Sequence, residues 1–312
     1  MEIAEGITIS GQLIIKWAEK YLNEYLNKVL KSNKDYVIAI DTDSVYAGLS
    51  DLVSTAANDL TDGKKTDFLD KVCKKIEVEV FDRTFKKLGE NLNVYKPRIT
   101  MKREGIANRG IWAAKKRYIL NVLDNEGVRY AKPKLKIMGI EAIKSSTPGP
   151  CRKAFKELFQ VLISGTELQT QSFIQDFQNK FDSLSAEDKA FPRGVSSLKK
   201  YSDSKLIYCK GTPINSRAAL LYNHLLKVNK LENVYEAIKE GDKIKYIYLN
   251  PKNPLREDVI GFNSILPPEF GLHRFIDNRT QFEKAFLEPA KTIITAIGWT
   301  AEEEASLEDF FS

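Results

Sequence analysis

The sequence predicts an α+β protein, in which an antiparallel sheet with helices is followed by a mainly helical second domain. Apolar and polar residues alternate in several short runs between residues 36 and 139, whereas helical spacing dominates after residue 140. A chain of 312 residues with 43% hydrophobic residues can fill two packed cores. We therefore expect a first domain at 1–139, a second at 140–300 and a tail at 301–312.

Five segments of the predicted first domain carry clear patterns. Residues 10–30 place apolar side chains at the spacing of an amphipathic helix. Two short runs, 36–40 and 44–49, are typical of strands and flank a polar turn, which indicates a hairpin. Residues 67–88 again have helical spacing, and we expect several strands within residues 96–139.

The predicted second domain begins with a Ser/Thr/Pro-rich stretch that suits a helix start. Helical spacing follows in residues 149–165 and again in 167–184. A short strand-like piece, "DKIKYIYLNP", occupies 242–251, and residues 277–299 form a closing helical pattern.

Composition excludes several classes of protein. The three cysteines, Cys73, Cys151 and Cys209, form no CxxC pair, and His224 and His273 are the two histidines, so a structural zinc site or a disulfide framework is not expected. No run approaches eighteen apolar residues and the start lacks the pattern of an export signal. We expect an intracellular protein without a membrane partner.

Positive charge is concentrated in the middle of the chain. Between Lys96 and Lys156 there are sixteen Lys and Arg against four Asp and Glu, a net charge of +12, while the whole chain carries +6 and the remainder therefore −6. Such asymmetry favours a polyanionic partner such as a nucleic acid. A solvated basic surface without a partner would give the same count.

Two acidic residues end the first strand of the predicted hairpin in the string "DTDS". On a strand, Asp41 and Asp43 would project from the same face, because side chains two positions apart do so. At about 5 Å two such charges repel by roughly 1 kcal/mol in water, and a divalent cation commonly relieves this repulsion. A turn capped by Asp side chains is the simpler alternative.

Three strings in this order resemble the family B DNA polymerases of T-even-type phages: "DTDS" at 41–44, "KKRY" at 115–118 and "YAKPKLKIMGIEAIKSSTP" at 130–148. The resemblance extends from about residue 9 to the end. It implies part of a polymerase palm followed by a thumb. Two positions depart from the family, since Ile40 stands where Gly is usual and Lys102 where an acidic residue is expected.

The resemblance implies a site for two Mg²⁺ ions that catalyse phosphoryl transfer. Asp43 would bind both ions, with Asp41 beside it, as the catalytic carboxylates of this chain. Glu104 would be a nearby acidic neighbour of the metals, and Thr42 would approach the primer end.

The resemblance also implies a track of residues along primer-template DNA. Lys116 and Tyr118 would alternate on one strand face and contact the primer backbone, which fixes register without reading sequence. The other expected contacts to phosphates are Lys134, Lys136, Lys144, Ser196, Ser197 and Lys199.

The C-terminal tail, "EEEASLEDFFS", carries apolar residues in a polar context. It resembles the tail peptide with which polymerases of this family bind a sliding clamp, and Leu307, Phe310 and Phe311 would be its anchors. A tail folded back on the thumb is the alternative.

Motifs that a complete polymerase of this family needs are missing from the sequence. Neither "DxxSLYPS" nor "KxxxNSxYG" occurs, and there is no DxE exonuclease signature. We expect the C-terminal subunit of a split polymerase, which acts in the cytoplasm of an infected bacterium and needs a separate chain with the exonuclease, the fingers and the remaining palm. The apolar face of the helix from Leu13 to Leu30 would contact that chain.

Two other classes of function stay open. One is a non-catalytic remnant that binds DNA or a clamp. The other is a divalent-metal nuclease that uses Asp41, Asp43 and Glu104 alone.

Overall fold

The structure of the protein, a computed structural model, describes residues 2–140 and 144–302. The chain forms two compact units, the first made of Met1–Gly110 and Leu120–Lys136, the second of Ile111–Ile119 and Ile137–Ser312. Helices and antiparallel strands are mixed in the described chain, which agrees with the predicted α+β class. Because residues 111–119 belong to the second unit, the chain is not divided at one residue, and the palm and thumb bounds stay predictions.

The first unit is built on four helices. They are α1 (Glu2–Leu30), α2 (Ser50–Ala56), α3 (Asp62–Ile76) and α4 (Arg83–Asn91), with the π-helical stretch Glu77–Asp82 joining α3 to α4. The helix predicted at 67–88 is thus present and longer at both ends, and α1 begins well before residue 10.

The core of the first unit lies between α1 and the continuous helix α3–α4. Ala18, Leu22 and Leu26 of α1 are almost completely buried, together with Val80 and Phe85. Trp17 Nε1 of α1 donates a hydrogen bond to the carbonyl of Thr84 of α4 at 3.0 Å, which fixes the position of α1 on α4. The expectation that this part of the α1 face binds a second chain is therefore wrong, because its own chain already covers these residues.

Five strands precede the second set of helices. They are β1 (Val37–Asp41), β2 (Ser44–Ala47), β3 (Gly105–Ala114), β4 (Arg117–Asn125) and β5 (Val128–Met138). β1 pairs with β2, and β3, β4 and β5 form a three-stranded sheet in that order.

The strand pattern that begins at residue 96 gives a strand only from Gly105. Pro97 packs against the end of α4, where a Cβ on Gly89 would lie 2.7 Å from Pro97 Cγ. The N–H of Arg103 donates to Glu77 Oε1 at 2.8 Å instead of to a neighbouring strand. These contacts hold the segment as a loop along the helices.

The second unit contains seven helices in its described part, in addition to short 3₁₀ and π-helical turns. They are α5 (Gly149–Ser164), α6 (Glu167–Asp182), α7 (Ala186–Lys189), α8 (Leu198–Tyr201), α9 (Ile214–Val228), α10 (Asn278–Phe282) and α11 (Glu288–Ile294). Its strands are β6 (Phe191–Gly194), β7 (Ser202–Asp203), β8 (Ile207–Tyr208), β9 (Lys243–Tyr248) and β10 (Val259–Phe262), with β9 between β10 and β6 in one sheet.

Two packing features stabilise the second unit. Phe155 of α5 and Phe177 of α6 lie 4.5 and 4.6 Å from the ring of Phe286, which joins three helical segments through aromatic contacts. Helix α9 packs so closely on β10 that a Cβ on Gly261 would lie 2.9 Å from the backbone of Ala218. Only glycine permits this approach.

Within residues 2–140 and 144–302, each helix is too short or too polar to span a bilayer.

Candidate functional site

The "DTDS" string forms the tip of the β1–β2 hairpin. Asp41 ends β1 and pairs with Ser44, the first residue of β2, so Thr42 and Asp43 form a two-residue turn. The N–H of Asp43 donates to the carbonyl of Asp41 at 2.7 Å, and Thr42 Oγ1 donates to Asp41 Oδ1 at 3.1 Å. The side chains of Asp41, Thr42 and Asp43 therefore lie at the tip of the hairpin or directly beside it. Thr42 and Asp43 are exposed there.

Thr42 has a strained backbone conformation. Its φ is +55°, a region that β-branched residues adopt rarely. A residue held there costs about 1–3 kcal/mol and persists only where the surroundings impose it. Two-residue hairpin turns require a positive φ at their first central residue, so the β1–β2 turn imposes this conformation on Thr42.

The prediction that strand alternation places Asp41 and Asp43 on one face is wrong. Strand alternation does not extend to Asp43, because β1 ends at Asp41 and Asp43 lies in the turn. Asp43 is exposed, and its carboxylate has no hydrogen-bond or ion-pair partner within residues 2–140 and 144–302. Both carboxylates still belong to the tip, but through the turn and not through the strand.

Glu104, the expected third acidic group, has a different partner. Its Oε1 lies 2.7 Å from Lys136 Nζ in an ion pair within the first unit. In the part of the chain that the structure describes, no three His, Cys, Asp or Glu side chains are grouped as metal ligands. Mg²⁺ is usually bound by one or two carboxylates together with substrate phosphates, so Asp41 and Asp43 fit part of such a site.

The expected alternation of Lys116 and Tyr118 on one strand face is also wrong. Lys115 and Lys116 form the turn between β3 and β4, and Lys116 has a φ of +61°. Tyr118 lies on β4, is only 4% exposed and packs 6.2 Å from the ring of Trp112. Lys116 is thus presented by a turn, and Tyr118 supports that turn from inside.

Gly139, which the sequence indicates only as a domain boundary, lies against the Lys115–Lys116 turn. Its φ is +65°, and a Cβ at this position would lie 2.0 Å from the carbonyl oxygen of Lys116. The backbone after β5 therefore touches the Lys115–Lys116 turn directly. A glycine directly after a strand pattern is the sequence signal that could have indicated this close approach.

Two arginines of the basic segment are used inside the first unit. The buried carboxylate of Asp124 accepts hydrogen bonds from Arg103 Nη1 and, at 3.0 Å, from the N–H of Gly127. Arg129 Nε lies 2.7 Å from Asp124 Oδ2, and Arg103 Nη2 lies 2.9 Å from Asp70 Oδ1. These arginines fix the β4–β5 turn, and their charge is balanced before any partner binds.

The pKa of Asp124 follows from this network. Burial alone raises the pKa of the carboxyl, but the hydrogen bonds from Arg103 and the Gly127 N–H, with the charges of Arg103 and Arg129, outweigh it. The net effect lowers the pKa of Asp124 below its ordinary value.

The other expected DNA contacts of the basic segment lie on strand β5 and before helix α5. Lys134 Nζ lies 4.2 Å from the centroid of the Tyr130 ring, a cation–π contact on β5. Lys136 is paired with Glu104, and Lys144 is exposed in the segment before α5. Their contacts to phosphates stay predictions.

The expected phosphate contacts in the second unit lie beside a carboxylate. The N–H groups of Ser197 and Leu198 donate to the two carboxylate oxygens of Glu240, at 2.8 Å for Leu198. Ser196, Ser197 and Lys199 are exposed here. These two backbone donors are thus already used, and the contacts of Ser196, Ser197 and Lys199 to a phosphate stay a prediction.

The anchors of the expected clamp peptide, Leu307, Phe310 and Phe311, lie outside the described residues.

No protein-family model matches the chain. The chain is similar to the DNA-directed DNA polymerase of Enterobacteria phage T4, with 31% identity over 323 residues, and to that of Escherichia phage RB69, with 32% identity over 326 residues. Both matches cover 99% of this chain but only 35% of the relative. Over nearly its whole length, the chain is therefore homologous to a C-terminal part, about a third, of the T-even-type phage DNA polymerases.

Proposed function

We propose that the chain is the C-terminal subunit of a split family B DNA polymerase and extends a primer only together with a companion chain. The observation that carries the proposal is the match to two DNA polymerases over 99% of the chain, combined with their much greater length. The companion would supply the exonuclease, the fingers and the remaining palm. The place of action would be the cytoplasm of an infected bacterium.

Asp41 and Asp43 would hold two Mg²⁺ ions shared with the companion. When bound, these ions would favour ionisation of the primer 3′-hydroxyl and neutralise charge on the triphosphate. Thr42 supports the arrangement, because its hydroxyl donates to Asp41 Oδ1 and so orients that carboxylate. The exposure of Asp43 at the turn leaves its oxygens accessible to an ion.

The turn at Lys115–Lys116 would hold the primer near its terminus. A lysine on a tight turn can approach a phosphate as a point charge, and Tyr118 would act by supporting the turn from the buried side. Lys134 and Lys144 would continue the contacts along the duplex, and the exposed side chains at the start of α8 would add contacts in the thumb. The tail beyond residue 302 would bind a sliding clamp.

The proposal is tested by mixing the purified chain with the polypeptide of the same genome that matches the remaining part of the polymerases. Primer extension should require both chains and a divalent cation, and neither chain alone should extend the primer. Extension by the isolated chain, or none from the mixed pair, would overturn the split arrangement. Cleavage of DNA by the isolated chain with Mg²⁺ would favour the nuclease alternative. The ion pair between Glu104 and Lys136 argues against that alternative, because Glu104 would have to bind the metal.

A further inference from the structure

Helix α1 carries an apolar stripe that is longer than the core it lines. The stripe follows a spacing of three and four residues and consists of Ile3, Ile7, Gly11, Ile15, Ala18, Leu22 and Leu26. From Ile15 onward these side chains are buried in the first unit. Ile3 and Ile7 are 82% and 70% exposed, so the same stripe continues for about three turns without a cover from the described chain.

This end of α1 has little intrinsic reason to be helical. All side chains from Ile3 to Ser10 are exposed. The segment contains Gly6 and several β-branched residues and is followed by Gly11, and these residue types are poor helix formers. An exposed helix end of that composition frays in water, because only its own backbone hydrogen bonds hold it. Packing of its apolar stripe against another surface would supply the missing stabilisation.

Gly6 and Gly11 also indicate that another surface covers this end of α1. Nothing lies within 4 Å of a Cβ built on Gly6 or on Gly11, so packing within the chain does not require glycine at either position. Gly11 lies within the apolar stripe, between Ile7 and Ile15. A neighbour whose backbone approaches α1 closely at this point would explain why a side chain is absent.

We propose that residues 2–13 of α1 are the docking segment for the companion polypeptide, with Ile3 and Ile7 as anchors and Gly11 as the point of closest approach. The inference rests on the proposed split polymerase. It commits to the companion because the relatives are almost three times as long as this chain, so they contain polypeptide beyond the matched part that could continue this core. The continuity of the stripe with the first unit's core indicates an interface that resembles a divided core.

The test measures the affinity of the full chain for the companion polypeptide of the same genome, by isothermal titration calorimetry. Ile3→Ser and Ile7→Ser should each weaken binding by roughly tenfold to hundredfold, which corresponds to the burial of one large apolar side chain. The melting temperature of the isolated chain should stay unchanged, because both side chains are exposed in it. Leu168→Ser is the matched control, since Leu168 is 64% exposed on helix α6 of the second unit, and it should leave the affinity unchanged.

Hydrogen exchange gives a second readout that needs no substitution. The amides of residues 3–10 should exchange quickly in the isolated chain, where only the helix itself protects them, and at least about tenfold more slowly in the complex.

The outcomes separate this inference from the function on which it rests. If the Ile3 and Ile7 variants bind as tightly as the wild type while the pair extends primers, the docking segment is wrong and the split polymerase stands. If the wild-type chain neither binds the companion nor extends primers with it, the proposed function fails and the inference with it. If the isolated chain is a dimer that Ile7→Ser converts to a monomer, the stripe serves a second copy and the inference is overturned.

Discussion

The close contact between Gly139 and the Lys115–Lys116 turn gives a prediction with a worked magnitude. In Gly139→Ala the new Cβ would lie 2.0 Å from the carbonyl oxygen of Lys116, so the turn must move by about 1 Å or more to restore ordinary contact. Overpacking of this kind costs about 1–3 kcal/mol, and the φ of +65° adds about 1–2 kcal/mol for any residue with a Cβ. We expect a total loss of about 2–5 kcal/mol in the free energy of unfolding.

Gly271→Ala provides the matched control. Gly271 has a φ of +63° in the same unit, and nothing lies within 4 Å of its Cβ position, so this variant carries the backbone cost without the clash. Urea denaturation, followed by tryptophan fluorescence, gives the free energy of unfolding of each variant by linear extrapolation. The difference between the two variants should be about 1–3 kcal/mol, the cost of overpacking alone.

The same substitution should also alter function. If the turn holds the primer, a displacement of about 1 Å should slow primer extension by the two-chain enzyme by up to about 100-fold, whereas Gly271→Ala should not. Equal stability losses in the two variants would refute the close contact. A normal extension rate in a destabilised Gly139→Ala would refute the role of the turn.

Four further predictions concern ionisable groups that are buried or, in the case of Cys73, partly buried. Asp124→Asn should destabilise the first unit by about 3 kcal/mol, because Arg103 loses its buried partner, and urea denaturation measures the loss. The pKa of Asp124 is lowered in the folded state, so its stabilising contribution should be present above about pH 4 and should decline as the pH falls further. Urea denaturation of the wild type and of Asp124→Asn at a series of pH values measures this decline. Burial lowers the pKa of Lys189, so the stability of the second unit should rise as the pH approaches about 10.4, and Lys189→Met should abolish this rise in the same assay. Burial raises the pKa of Cys151 to about 12 and that of Cys73 to about 11. Both thiols should therefore react slowly with a maleimide at neutral pH until urea unfolds the chain. Fast labelling of either thiol in the folded protein would contradict the structure.

The sequence predicts the main helices and strands and the turn between β1 and β2, but neither the backbone conformation of that turn nor the turn at Lys115–Lys116. Alternation identified β1 and β2, yet strand periodicity contains no information on the φ of Thr42. The turn at Lys115–Lys116 has no Gly, Asn, Asp or Pro, so nothing in "AAKKRY" indicates that the strand reverses there.

Contacts between distant residues are the second source of error. Arg103 and Asp124 are 21 positions apart, and Lys136 is 32 positions from Glu104. A count of charges along the chain treats all four as surface groups, whereas the folded chain pairs them. The apolar spacing of α1 was recognised, but only the structure separates the part that its own core covers from the part that it leaves exposed.

The most direct test of the polymerase account is the rate of primer extension by the two-chain enzyme with Asp43→Asn. The amide keeps the shape of the side chain and removes the charge that would bind the metal, so extension should fall by at least about 100-fold while the affinity for primer-template DNA, measured by fluorescence anisotropy, stays unchanged. Glu126→Gln is the control, because Glu126, like Asp43, is an acidic residue of a two-residue hairpin turn, and this variant should keep full activity. An Asp43→Asn enzyme that extends primers at the wild-type rate would contradict the account.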